Sequence, residues 1–259
     1  MIVPAPSYAE YIQVPELLEL QKLRTPVVRA ELTFIVVHQV YELWFKLVLV
    51  ELRIAIAALD KGATLDALRA LRRAHDIENL MLGQAVLIER MDPCDFAMIR
   101  ESLGSSSAAE STQFALIESL STGQPGKGIG ALEERDLWSA LCECVRRTGL
   151  AMPLDASEHS ARRRDDSLYE IYIGKEKTGE PRRDYEVLKD LCEAMLDHDQ
   201  AFALWRQRHA LMVYRQIGDH MGTGGTSGVS YLERRAGRKF FPDIWRVRNR
   251  LGRTADTVY

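Results

Sequence analysis

Six histidines give this 259-residue chain its widest chemical reach, and their surroundings decide which chemistry is open to them. None has a glutamate three residues before it, so the Glu-x-x-His pairs of a di-iron bundle are missing. There is no HExxH zinc helix and no GxSxG nucleophile elbow. Cys94, Cys142, Cys144 and Cys192 form no zinc-type CxxC pairs and read as small buried hydrophobes of a reduced compartment. What remains is single imidazoles. His38 stands in FIVVHQVYELWFKLVLVEL (34–52), where about 100° per residue puts it on one side with Phe34, Ile35, Tyr41, Glu42, Phe45, Leu49 and Leu52. His209 lies on a second apolar run, flanked by Trp205 and Met212. An inward histidine is either a neutral, hydrogen-bonded core residue or a ligand. One imidazole is a poor ligand set for zinc, yet it suffices for haem iron, because the porphyrin supplies four nitrogens and a sixth position stays open.

The other histidines read as less suited. His75 sits among Arg72, Arg73 and Asp76, as on a solvated face, and His159 falls in a polar stretch. His198, in Asp197-His198-Asp199, faces the same way as His209 but reads as the shallower of the two. Eleven residues separate them, about 16 Å of helix axis, too far to share a metal.

The elements that must position these groups are helical. Periodicity of 3.6 predicts helices over about 14–23, 26–60, 65–91, 95–103, 112–120, 132–148 and 185–216, with no strand alternation, hence a mainly helical bundle. Residues 1–13, with Pro4, Pro6, Tyr8 and Tyr11, predict an extended or loosely helical arm. Residues 104–111, GSSSAAES, form a small-residue loop whose hydroxyls can cap the next helix. Residues from about 155 to 183 are charged and polar, the composition of a partly mobile surface excursion. MGTGGTSG (221–228) follows a helix and has no Lys-Ser/Thr ending, so it is a weak phosphate-cradle signal. Arg100, among Phe96, Met98, Ile99 and Leu103, either snorkels to water or pairs with something buried.

Composition narrows the field further. With 46% hydrophobic residues the chain can bury a large core, which predicts a single domain over 1–259. Thirty-four basic against 37 acidic residues, net −3, give no support to nucleic-acid binding. Arg29, Glu31, Glu42, Lys46, Glu51 and Arg53 punctuate the most apolar run, which excludes it as a membrane span. MIVPAPSYAEY lacks the basic region and apolar run of a signal peptide, so a cytoplasmic protein is expected.

FIVVHQVYELWFKL (34–47), the Arg100 helix ending in Leu-Gly, LWRQRH (204–209) and GTGGTSGVSYL (222–232) resemble, in order and spacing, the tryptophan 2,3-dioxygenase family. The resemblance covers roughly 8–120 and 185–242. It implies an all-α bundle whose long central helices enclose a haem b pocket, and an enzyme that uses O2 to oxygenate an indole amino acid. Under it, His209 matches the axial iron ligand and His38 the distal histidine that hydrogen-bonds the indole N–H. Phe34 matches a contact to the indole face, and Arg100 the grip on the substrate carboxylate. Thr223 matches a threonine near the substrate ammonium, and Ser107 a serine near haem and substrate. Tyr8 and Tyr11 match arm tyrosines that complete a neighbouring subunit's site, so a homotetramer is implied.

Three departures mark the loop and its surroundings. Ser107-Ala108-Ala109-Glu110-Ser111 stands where the family typically reads S-G-F-Q-S, an aromatic after Gln84 is replaced by Ala85, and Gln113-Phe114-Ala115 stands for Gln-aromatic-Arg. Such changes are compatible with a different indole substrate or outcome. Alongside 2,3-dioxygenation to N-formylkynurenine, the alternatives are monooxygenation of tryptophan or β-methyltryptophan to a 2-oxindole, and a non-catalytic haem-binding sensor.

Overall fold

The computed structural model describes residues 5–25, 27–126, 128–130, 132–175, 179, 181–222 and 228–251, and the regular elements among them are helices. The arm carries α1 (Tyr8–Tyr11) and α2 (Val14–Leu18). Then follow α3 (Ala30–Asp60), α4 (Thr64–Gln84), α5 (Val86–Glu89) and α6 (Pro93–Leu103). A 3-10 turn at Ala108–Glu110 leads to α7 (Thr112–Thr122), α8 (Leu137–Arg146) and α9 (Glu158–Ile173). The chain closes with α10 (Arg183–Ile217), α11 (Val229–Ala236), α12 (Pro242–Arg246) and α13 (Arg248–Leu251).

The two most apolar long runs make the two longest helices. α3 packs on α4, α7 and α8, while α10 packs on α4, α9 and α11. Their shared core holds Val48, Leu52 and Leu59 of α3, Leu71 of α4, Leu120 of α7, Leu141 of α8, and Leu191 and Met195 of α10, all buried. The first turns of α3 leave this core. There Val37 joins Ile88, Met91 and Ile99 in a smaller cluster bordered by Phe34 and Phe96. One apolar helix therefore serves two ends: its second half fills the core, and its first half lines a cavity.

Helix ends follow their local chemistry. Asp92 caps α6 through its carboxylate, which accepts from the Cys94 and Asp95 amides, and Pro93 takes the first-turn position where its missing N–H costs nothing. Ser111 caps α7, as the small-residue loop predicted. Gly104 ends α6 at φ +60.

Three predicted features differ. The helix expected over 65–91 breaks at Ala85 because the Leu82 carbonyl accepts from Arg208 Nη1 at 2.7 Å, a side chain inserted into the helical ladder. The arm is more ordered than an extended segment, since Ser7 and Glu10 form a reciprocal capping box on α1. The stretch about 155–183, expected as a surface excursion, contains α9, whose Ser160, Arg164, Ser167, Leu168 and Ile171 are buried. Its charges are absorbed by partners elsewhere: Arg164 Nε donates to Asp243 at 2.5 Å, and Arg164 Nη1 to the Pro153 and Asp155 carbonyls, both at 2.9 Å. No described helix is long and apolar enough to cross a membrane.

Candidate active site

The cavity at the open end of α3 has a volume of about 690 Å³ and is walled by α3, α6, α7, α10 and α11, with Leu17 of α2 and Leu20 just after it also in the lining. Its lining is mainly apolar and aromatic, including Phe34, Phe45, Phe96, Phe114, Trp205 and Met212. Polar side chains also line it, Glu42, Glu118, Arg206 and Arg235 included. The expected His38, Arg100, Ser107 and His209 are among them.

His38 is held by its own helix. Nδ1 lies 2.7 Å from the Phe34 carbonyl, which only accepts, so Nδ1 carries the proton and Nε2 is left as a bare acceptor. Phe34 packs on the imidazole with ring centroids 4.1 Å apart and meets Phe96 edge-on at 6.1 Å. Burial pulls the His38 pKa below its ordinary value, against the opposing pull of the Phe34 carbonyl and the Glu42 carboxylate. Glu42, one turn further on, is fixed by Gln113 of α7, whose amide donates to Glu42 Oε2 at 2.8 Å and to its backbone carbonyl at 2.9 Å.

His209 comes from α10. Burial pushes its pKa down to about 4, and the positive form of His38 would repel it further, so the two imidazoles feel one another within the cavity. It is therefore neutral at pH 7, the form that binds a metal. Its ring lies parallel to the Trp205 indole, 5.2 Å away and within 2°. Among the described residues no group hydrogen-bonds either His209 nitrogen.

His198 is the buried histidine that the sequence ranked as shallow. Its ring is 0% exposed, with Nδ1 2.6 Å from Glu78 Oε1 and Nε2 2.8 Å from Ser121 Oγ. The Ser121 hydroxyl is already spent on the Ile117 carbonyl at 2.8 Å, so Nε2 must donate to it. His198 ties α4, α7 and α10 together and does not line the cavity. The Asp-His-Asp context misled because Asp197 and Asp199 diverge around the helix, and the true partner, Glu78, lies 120 residues away. His75 is partly buried, 3.9 Å from Glu78, and His159 is exposed.

Arg100 donates through Nη2 to the Met221 carbonyl, tying α6 to the start of the glycine-rich loop. The loop's last glycine, Gly228, has φ +62, and a Cβ there would meet the His220 carbonyl at 2.5 Å. On the cavity wall itself, Glu118 pairs with Arg235, and Arg206 is buried with Nη1 donating to the Arg235 and Arg238 carbonyls at 3.3 and 3.1 Å.

A family model described as tryptophan 2,3-dioxygenase matches residues 4–125 and 171–251. Curated relatives named tryptophan 2,3-dioxygenase include that of a Nocardioides species, 35% identical over 95% of this chain and 94% of its own length. Those of Herpetosiphon aurantiacus and Caulobacter vibrioides are 36% and 34% identical, covering 93% and 95% of this chain and 97% and 98% of their own. This chain belongs to the tryptophan 2,3-dioxygenase family.

Every residue lining the cavity falls within the segments matched to the dioxygenase family. The unmatched 126–170, with α8 and most of α9, braces the core instead. Of the departures from the family pattern, Ala85, Ala108 and Ala115 lie on the cavity wall, whereas Glu110 is exposed and off it. Tyr8 and Tyr11, 78% and 77% exposed, do not reach the cavity of their own chain. Thr223 lies outside the described residues. Sequence reasoning named Trp205 and Glu42 only as neighbours of the histidines, without a role at the site, and passed over the Arg206–Glu118–Arg235 group. The first two carried a signal, each one helical turn from a site histidine. The third did not, since Glu118 and Arg235 are 117 residues apart.

Proposed function

We propose that this chain binds haem b through His209 and uses O2 to oxygenate the indole ring of L-tryptophan or a close analogue, inserting both oxygens across C2=C3 to give N-formylkynurenine. The observation that carries the reading is the pairing of His209 and His38 in one apolar cavity, in a chain of the dioxygenase family. The residues fit the group. The cavity volume is within the range of cofactor pockets, its walls are aromatic and aliphatic as a porphyrin requires, and His209 is a neutral imidazole with no protein claim on its nitrogens among the described residues. Bound haem supplies the oxygen chemistry.

The protein's own part is placement. His38 has spent Nδ1–H on Phe34, so Nε2 accepts the indole N–H and fixes the ring edge, while Phe34 covers the ring face. Arg100 keeps N–H donors beyond the one given to Met221, and these grip the substrate carboxylate. The family resemblance assigns Thr223, which lies outside the described residues, to the substrate ammonium, and Ser107, on the cavity wall, to haem and substrate. An indole N–H is a weak acid, so His38 acts as an acceptor that orients the ring, and rate comes from holding the reacting carbons in register.

The assembly is a homotetramer in which a neighbour's Tyr8 and Tyr11 complete the site. The exposed tyrosine pair and an exposed apolar stripe on α3, Leu32, Val36, Leu47, Val50 and Ile54, support it. The protein acts in the cytoplasm, consistent with four free cysteines.

The test is mass spectrometry of the product formed from L-tryptophan and its β-methyl analogue by haem-loaded, reduced protein under isotopically labelled O2. Two labelled oxygens are expected. One would replace the reading by 2-oxindole formation, and a Soret band without product would replace it by a haem sensor; the relatives' names favour neither.

A further inference from the structure

Metal-bound histidines usually have their second nitrogen held by a carboxylate or carbonyl, which fixes the ring plane. His209 has no such partner among the described residues, yet its ring is not loosely placed. Trp205, one turn earlier on α10, lies parallel to it at 5.2 Å and 2°. Trp205 is itself gripped by three rings: Tyr41 edge-on at 5.9 Å, Phe45 edge-on at 6.3 Å, and Phe114 tilted at 5.2 Å. Tyr41 is in turn anchored, its hydroxyl donating to the Met81 carbonyl of α4 at 3.1 Å. A chain of contacts thus runs from the α4 backbone through Tyr41 and Trp205 to the His209 plane.

We infer that Trp205 is the positioning residue of the axial histidine, its aromatic stack setting the imidazole plane where no described residue hydrogen-bonds the ring. The inference rests on His209 being the haem ligand. A stack restrains rotation of the ring without withdrawing or adding charge at its far nitrogen, so His209 stays an ordinary neutral imidazole while its orientation is narrow. Trp205 as plain core packing would contribute to stability alone. Trp205 as a positioning residue contributes to the definition of the iron–imidazole geometry.

The two are separated in holoprotein by comparing Trp205→Phe, which keeps a ring to stack, with Trp205→Leu, which does not. The readouts are electron paramagnetic resonance of the ferric form and the iron–histidine stretching band of the ferrous form in resonance Raman. Wild type is expected to give one species and a narrow band, Trp205→Leu several species and a broadened or shifted band, and Trp205→Phe a near-wild-type signature. Loss of the stack should also speed haem transfer to apomyoglobin by about 2- to 12-fold, the range of a single aromatic pair. Should Trp205→Leu fold poorly, Phe114→Leu, which removes another ring packed on the indole, is expected to broaden the same band more mildly. Wild-type signatures in Trp205→Leu or Phe114→Leu at full haem loading, or equal disturbance in Trp205→Phe and Trp205→Leu, overturn the inference. Failure of wild type to take up haem would instead refute the functional reading on which it rests.

Discussion

Arg100→Met removes the cationic donor expected to hold the substrate carboxylate while keeping a long apolar stem. In the substrate-free protein its guanidinium gives one N–H to the Met221 carbonyl. Binding therefore adds contacts from the remaining donors and need not break that one. A charge-assisted hydrogen bond is worth about 1.5–3 kcal/mol. Arg100 is partly exposed, which places the loss near the lower end, about 10- to 30-fold in kcat/KM. Lys in its place keeps the charge but not the planar fork and should recover only part of the loss. The assay is steady-state oxygenation of L-tryptophan beside 3-methylindole, which has no carboxylate, with haem content checked by the Soret band. The deficit of Arg100→Met should be confined to the amino acid. An equal deficit toward 3-methylindole, or none toward tryptophan, would refute the carboxylate grip.

Replacing His209 with Ala should abolish tight haem binding, read as loss of the Soret band on reconstitution; an unchanged spectrum would remove it as ligand. Because burial pushes the His209 pKa down to about 4, protons should compete with iron only near that pH. Haem uptake is thus expected to be level from pH 8 to 6, and a midpoint near 6.5 in a spectroscopic titration would contradict it. In the apoprotein the sign is fixed as well: between about pH 6.5 and 4 the unfolded chain binds the proton that folded His209 refuses, so stability to urea falls as pH falls through that window. His198→Leu leaves Glu78 buried without its hydrogen-bond partner and should cost about 3–5 kcal/mol in urea unfolding, whereas a loss below about 1 kcal/mol would mean the Glu78–His198 pair is not structural. Gly228→Ala, with its Cβ 2.5 Å from the His220 carbonyl, should lower activity by disturbing the glycine loop while leaving the Soret band in place, checked by both readouts on one preparation.

The parts of the fold readable in the sequence are those set by local periodicity. α3 and α10 were visible because their apolar residues recur every three to four positions, and the cap at Ser111 because capping needs only neighbours. α9 was hidden because its charges are balanced from afar, buried Arg164 by Asp243 and partly buried Asp165 by Arg250. The break between α4 and α5 was hidden for the same reason, its cause being Arg208 from another helix. His38, Arg100 and His209 stood out by inward placement and family resemblance. Composition around His198 pointed the wrong way, because a histidine's depth depends on which helices close over it.

Three histidines on the inner faces of α3 and α10 have been given three different fates by the protein around them. His198 has both ring nitrogens engaged, one by Glu78 and one by Ser121, and so has no capacity left for a ligand. His38 has one nitrogen engaged by the Phe34 carbonyl and one bare, which suits a group that must present a fixed acceptor to a substrate N–H. His209 has neither engaged by the described residues and is oriented by a ring stack alone, which leaves a lone pair free for iron. Burial of an imidazole with unfilled nitrogens is costly unless a ligand fills them. The order His198, His38, His209 is therefore an order of increasing demand for a bound group. Haem addition should stabilise the wild type strongly and His209→Leu little, whereas adding haem to His198→Leu should still stabilise it; thermal unfolding of the three with and without haem checks the ranking, and equal stabilisation of all three would break it.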